Sequence, residues 1–169
     1  RGGPGIMAPL PPELLQTLLK NQWKVAPRQA DHYRRSIYLF ARRNLRYPIF
    51  DAFDRPDGNA SCSRRSQSTT APQSLLLLNS RFSLDAARRL AGVLLRDRSQ
   101  VDAACFQALF RRIYSRAATP AEVKLLATFH DRQTMLLQTA NRAPSQLALP
   151  IPRPTELSLA SAAAFSDLC

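Results

Sequence analysis

Thr119-Pro120-Ala121-Glu122 leaves little freedom to the chain that follows it. A threonine hydroxyl can accept an early backbone N–H, and a proline at the first helical position has no N–H to strand. A glutamate three residues after the threonine can reach back to the cap. The tetrapeptide predicts a helix from Pro120 to about Asn141. A second helix is predicted from about Gln100 to Arg116, where Val101, Cys105, Leu109 and Ile113 form one stripe with Phe106, Phe110 and Tyr114 beside it. Upstream, Phe82, Leu84, Ala87, Leu90, Ala91 and Leu94 recur at helical spacing up to about Arg96, after Asn79-Ser80 has interrupted or re-capped the chain. Thr70-Ala71-Pro72-Gln73 has capping-box spacing, so a short, largely buried helix is expected through Leu75–Leu78.

Before Thr70 the pattern differs. Residues 1–12 are a Gly/Pro-rich arm ending in Pro11-Pro12-Glu13, which offers proline to a first helical turn ahead of Leu14, Leu15, Leu18 and Leu19. β-branched and aromatic residues between His32 and Arg43 suit a short strand near Ser36–Ala41. Pro48 opens a single helical turn to Phe53, Arg55-Pro56-Asp57-Gly58-Asn59 reads as a turn, and Ser61–Thr69 as polar loop. At the other end, residues 143–154 read as a Pro-containing linker. Residues 155–169 read as a small-residue helix without a stop signal, expected to be truncated.

The expected architecture is mainly α: four to five helices with an irregular N-terminal region, in a single domain spanning 1–169. Within it, 1–69 is largely irregular, 70–142 forms the helical core, 143–154 links, and 155–169 is the final helix. At 45% hydrophobic and 21% charged, the composition suits one globular domain and argues against disorder throughout. A chain of 169 residues can bury a core without metal or disulfide staples. Its longest apolar runs are far short of the ~18–20 residues of a membrane span.

Charge points to partners less directly. The formal net charge is +12, with arginine supplying 21 of the 24 basic residues. One reading is compositional bias, with arginine stems lying along apolar surface and their heads paired within the molecule. The other is a face for an anionic partner. Arg64 and Arg65 precede the Thr70 helix start, where backbone N–H groups and positive charge could together hold a phosphate, sulfate or carboxylate. Arg34, Arg35, Arg42 and Arg43 stand in a block with Tyr33, Tyr38, Phe40, Tyr47, Phe50 and Phe53, a mixture that single-strand and RNA binders use. Against it stands a structural reading, in which the aromatics pack and the arginines form a network with Asp51, Asp54 and Asp57.

Those three carboxylates lack the alternating ligand order of a calcium loop, and Pro56 stands where a ligand is needed, so no metal is expected. Cys62, Cys105 and Cys169 lie far apart with no CxxC, no CxxCH and no nearby histidine, which argues against zinc or covalent haem in this segment. Their odd count leaves at least one thiol free in a monomer; Cys105 is expected to be buried and inert, and Cys62 is open to pairing. His32 and His130 have no acid or nucleophile at diagnostic spacing, and no GxSxG elbow or phosphate-cradling glycine loop is present. No residue is nominated as catalytic, and whether the segment serves an enzyme is left open.

Tyr33–Tyr38, Phe50-Asp51-Ala52-Phe53-Asp54-Arg55-Pro56-Asp57, Ser61-Cys62-Ser63-Arg64-Arg65 and Thr69–Asn79 follow one another in an order that resembles the planctomycete PSD-one domain family. This is a domain-of-unknown-function family of the DUF 1553 type. The resemblance runs from the Pro4-Gly5 arm to the Thr119 helix start and, more loosely, to the last helix. It implies the C-terminal module of a large exported protein that often carries a cytochrome-c-type domain, so haem belongs to an upstream domain and the setting is periplasmic or cell-envelope. It also implies that the final helix continues past Leu168-Cys169. The family brings no activity with it, so Arg64, Asp54 and Gln73 stay candidates for a structural network.

The leading expectation is a non-catalytic scaffold or interaction module whose partners are other domains of the same parent protein. A second class is an anionic-polymer binding domain, for acidic or sulfated glycan ahead of nucleic acid, using Arg34, Arg35, Arg64, Arg65 and Thr70. A third is an accessory domain of a redox or hydrolytic enzyme whose active site lies upstream.

Overall fold

Prolines and glycines confine the first part of the chain to short elements, and capped amphipathic segments dominate the rest. The computed structural model describes residues 3–16, 18, 19, 22–42, 45 and 47–169. Its α-helices are α1 (Pro12–Gln16), α2 (Pro48–Ala52), α3 (Ala71–Asn79), α4 (Arg81–Leu94), α5 (Ala103–Tyr114), α6 (Pro120–Thr139) and α7 (Leu159–Leu168). The mainly helical expectation therefore holds. Contacts divide the chain into two compact units, residues 1–76 and 77–169.

In the first unit the N-terminal arm is held by backbone pairing. Ile6 N–H donates to the Tyr38 carbonyl at 2.8 Å and Phe40 N–H returns to the Ile6 carbonyl at 2.8 Å. This is one isolated parallel bridge, Ile6 with Leu39, and among the described residues no sheet forms. The strand expected near Ser36–Ala41 is replaced by a 3-10 turn over Ser36–Tyr38, closed by Leu39 N–H on the Ser36 carbonyl at 3.0 Å. The aromatic pattern that suggests a strand is satisfied by packing instead. Trp23 meets Tyr47 edge-on with centroids 6.0 Å apart, and both donate to the Ala8 carbonyl, at 2.8 Å from Nε1 and 3.1 Å from the phenol. Ala8, Leu10, Leu45 and Tyr47 form the small core of this unit.

The second unit is built by helix caps. Ser80, Asp102, Thr119 and Ser158 each accept a backbone N–H from three residues on, which starts α4, α5, α6 and α7. Ser115 ends α5 in the left-handed region, at φ 57°, with its N–H on the Arg111 carbonyl at 3.1 Å. Ala91, Leu95, Cys105, Phe106, Leu109, Leu157, Ala162 and Phe165 form its core. The small side chains of α7 let that helix bury itself on nearly every side, between α6 and α4. Residues 147–152, expected only to link, lie along α4. Ile151 N–H donates to the Arg88 carbonyl at 2.9 Å, and Arg88 Nε donates to the Leu149 carbonyl at 2.7 Å.

The leucines of α3 depart from expectation. Leu75, Leu77 and Leu78 are exposed, and the buried residue of that helix is Gln73. Successive helical residues turn by about 100°, so consecutive leucines cannot share one face.

Candidate functional site

Residues 50–73, in the first unit, bring together most of the polar groups that the sequence singles out. The chain leaves α2 through Asp54, a non-glycine residue held at φ 55°. Aspartate is among the side chains that tolerate this region best, and here the conformation is fixed from both sides. Arg55 N–H closes back onto the Phe50 carbonyl at 2.9 Å, and the Arg55 guanidinium lies over the Phe50 ring, 5.7 Å from its centroid. Asp57 then closes the Pro56–Asn59 turn, its Oδ1 accepting from both Asn59 N–H and Asn59 Nδ2 at 3.2 Å.

The returning strand of the loop is tied to the outgoing one at Asp54. Ser68 donates its backbone N–H (2.6 Å) and its hydroxyl (2.7 Å) to Asp54 Oδ2. Arg65 donates from Nε to the Asp54 carbonyl at 3.2 Å and from a terminal nitrogen to the Phe53 carbonyl. The Ser68 hydroxyl, then its N–H, and to a smaller extent the Arg65 charge hold the Asp54 carboxyl below the usual aspartate range.

Gln73 completes the assembly from α3. Its Oε1 accepts Thr70 N–H at 3.2 Å, the reach-back that the capping-box spacing predicts. Its Nε2 donates to the Ala52 carbonyl at 2.9 Å and to the Ser68 carbonyl at 3.0 Å. One buried amide thereby joins the end of α2, the loop and the start of α3. Sequence reasoning finds the first of these contacts but not the other two, because Ala52 lies 21 positions away and carries no signal of its own.

The candidate residues thus separate. Asp51, Asp54 and Asp57 line one open cleft of about 490 Å³ together with Arg55, Cys62 and Ser66. Ile37, Phe40, Phe50, Phe53, Arg55 and Arg65 line a second, of about 360 Å³. The carboxylates suit the first cleft to a cationic group, yet no group of three or more His, Cys, Asp or Glu with metal-holding geometry occurs among the described residues. Arg65 and Thr70 belong to the loop assembly, whereas Arg64 is exposed and its carbonyl accepts the Cys62 thiol at 3.2 Å. Arg34 lies elsewhere in this unit, paired with Asp31 at 2.7 Å and donating to the Pro4 carbonyl at 3.1 Å, which pins the N-terminal arm. Arg35 is exposed at the start of the 3-10 turn, Arg42 donates to Gln22 at 3.4 Å, and Arg43 lies outside the described residues.

His130 acquires company that its sequence neighbourhood does not announce. It is buried between α6 and α7, with Nε2 3.2 Å from the Ser161 hydroxyl and 3.1 Å from the Ser161 carbonyl, while Nδ1 is 3.7 Å from Asp131. A serine, a histidine and an aspartate in line invite comparison with a nucleophilic triad. The carbonyl decides otherwise: it can only accept, so Nε2 carries the proton and cannot take one from the serine. The group is an interhelix tie. Cys105 is buried as expected, and burial pushes its thiol pKa up.

A family model described as "Protein of unknown function (DUF1553)", PSD1, matches residues 1–130. Neither a curated protein nor a solved structure matches the chain. The matched stretch holds both the loop assembly of Asp54, Arg65 and Gln73 and the capped start of α6, and the chain belongs to the PSD1 (DUF1553) family.

Proposed function

We propose that this chain is a non-catalytic interaction module of a larger multidomain protein, exported to the cell envelope, and that its partners are other domains of that protein. The observation that carries the reading is apolar surface left over once the second unit has closed its core. Leu78, at the end of α3, is 79% exposed, and Phe82, in the first turn of α4, is 62% exposed. Large apolar side chains left in water within a few positions of each other are a mark of contact surface. The loop of residues 50–73 fits the same reading. Arg65 and Gln73 are directed to backbone carbonyls, a use that builds structure rather than chemistry.

Hydrogen exchange of the parent protein and of the isolated chain tests this. Greater protection along 78–84 is expected in the parent than in the isolated chain, and Leu78→Ser with Phe82→Ser should erase the difference while leaving the isolated chain folded. Equal exchange in both settings would refute the reading.

A second reading rests on the net charge of +12 and the exposure of Arg35 and Arg64. Exposed guanidinium groups of this kind would hold an acidic or sulfated glycan weakly. Its signature is saturable, salt-sensitive binding that an Arg35→Ala/Arg64→Ala variant loses.

A further inference from the structure

We propose that the second cleft of the first unit binds a peptide segment that offers a carboxylate beside a large apolar side chain, the carboxylate going to Arg55 and the apolar group to Ile37, Phe40 and Phe53. The proposal rests on the interaction-module reading only in taking the partner to be a protein, and it gives that partner a chemistry at residues other than Leu78 and Phe82. The cleft, of about 360 Å³, is walled by apolar groups left in water: Ile37 is 79% exposed and Phe40 46%. Its aromatic walls are held from within the unit. Phe40 packs on Trp23 with ring centroids 6.3 Å apart, and Phe50 on Tyr47 at 5.5 Å.

What selects an anionic partner is the charge set into this apolar lining. Arg55 and Arg65 both line the cleft, and among the described residues no carboxylate does. Asp51, Asp54 and Asp57 line the neighbouring cleft, which shares Arg55 and Pro56 with this one, so Arg55-Pro56 divides an acidic cleft from a cationic one. The two guanidinium groups differ in what they have left to give. Arg65 is committed: Nε and a terminal nitrogen go to the Asp54 and Phe53 carbonyls, and its charge acts on the Asp54 carboxyl. Arg55 is partly buried and lies over the Phe50 ring, yet among the described residues its guanidinium makes no hydrogen bond and no ion pair. Its planar fork of N–H donors matches a carboxylate, and the ring beneath limits where that fork can lie. A partly buried cation without an acceptor, in an apolar setting, is complementary to a carboxylate carried beside an apolar group. The openness of the cleft favours a chain over a small organic acid. With Ile37 so exposed, it cannot enclose the roughly 70–90% of a free ligand's surface that small-molecule pockets bury, whereas a chain laid across it needs to place only two side chains.

NMR titration of the whole 169-residue chain with the blocked tetrapeptides Gly-Phe-Glu-Gly and Gly-Phe-Gln-Gly tests the proposal. The glutamate peptide should shift the signals of Ile37, Phe40 and Phe53, weaken as salt is added, and bind about tenfold or more tighter than the glutamine peptide. Arg55→Gln should abolish that preference and leave the glutamine peptide's affinity unchanged, a pairing of effects that a general loss of structure cannot produce. Ile37→Ser, at an exposed position, should weaken both peptides alike in a chain that circular dichroism finds folded. Arg35 and Arg64 do not line the cleft, so Arg35→Ala/Arg64→Ala should change neither affinity, which separates this site from glycan binding. Equal affinity for the two peptides, an Arg55→Gln variant that weakens both alike, or shifts lying outside the cleft would overturn the proposal. Phenylacetate binding as tightly as the glutamate peptide would overturn it in favour of a small organic acid. A cleft that fails these tests while 78–84 gains protection in the parent overturns this site and leaves the interaction-module reading standing. A glutamate-selective cleft with equal exchange along 78–84 in both settings does the reverse.

Discussion

Gly92, in the last turn of α4, lies against the backbone of Ile151. A β-carbon built on it would stand 2.7 Å from the Pro152 nitrogen and closer still to the Ile151 carbonyl group. Real β-carbons do not approach backbone this closely, and backbone held by Ile151 N–H on the Arg88 carbonyl cannot step aside as a side chain would. Helix propensity alone would make Gly92→Ala stabilising by up to about 1 kcal/mol. The contact reverses the sign. Gly92→Ala should lower stability by about 1–3 kcal/mol and loosen residues 149–152. Chemical denaturation measures the first effect and hydrogen exchange the second, and an unchanged or raised midpoint would contradict the close approach.

Thr119→Ala removes the hydroxyl that accepts Glu122 N–H and should cost about 1 kcal/mol. Thr119→Ser keeps that acceptor and should recover most of the loss. A melting temperature unmoved by Thr119→Ala would mean that α6 does not depend on its cap.

The same cap gives the protein an acid limb. The Arg116 guanidinium, bonded to Glu122 at 2.6 and 2.9 Å, and then Thr119 N–H bring the Glu122 carboxyl down to about 2 from its ordinary 4.5. In the folded state this group binds its proton less readily than in the unfolded state. Its stabilisation is therefore fully present above pH 4.5 and is lost as pH falls towards 2. Unfolding midpoints between pH 5 and 2, limits set by these two values, should fall more steeply for the parent chain than for Glu122→Gln. Parallel curves would remove Glu122 from the acid limb.

Tyr47 sets a limb at the other end of the scale. Burial pushes its phenol up to about 12 from 10, against the smaller opposing effect of its bond to the Ala8 carbonyl. The folded state keeps this proton longer than the unfolded state, so stability is full below pH 10 and declines as pH rises towards 12. Tyr47→Phe should abolish that decline. At neutral pH it should cost only about 0.5–1.5 kcal/mol, since Trp23 still donates to the same carbonyl. An alkaline limb that survives in Tyr47→Phe belongs to another group.

Gln73→Ala removes the amide that spans α2, the loop and α3, and leaves the Ala52 carbonyl without that donor. The expected loss is about 1–3 kcal/mol. It should be accompanied by faster exchange at Ser68, whose N–H is bonded to Asp54. Gln73→Glu keeps an acceptor for Thr70 N–H but no donor for Ala52 and Ser68, so it should resemble alanine rather than the parent. A Gln73→Glu protein as stable as the parent would show that the donor side of the amide is dispensable.

Local chemistry determined the helical class and the starts of α3 and α6, whereas α5 and α7 begin at the Asp102 and Ser158 caps, a few residues after the expected Gln100 and residue 155. A cap needs an acceptor and an N–H three residues apart, and Thr119 with Glu122 writes both into four letters; the Gln73 reach-back to Thr70 is legible for the same reason. Separation hid the rest. Gln73 with Ala52, Arg65 with the Phe53 carbonyl, Gly92 with Ile151 and His130 with Ser161 join positions whose partner is a backbone carbonyl or peptide, which every residue carries and no letter marks. The aromatic segment around Ser36–Tyr38 shows how this misleads: its residues suit a strand, but a strand needs a neighbour along its length, and Ile6 supplies one bridge only. Sequence determined which segments could become helices and, where a full cap is written out as at Thr119, how they begin. Tertiary structure decided which faces are covered, because burial depends on what stands opposite, and that is settled only when distant parts of the chain meet.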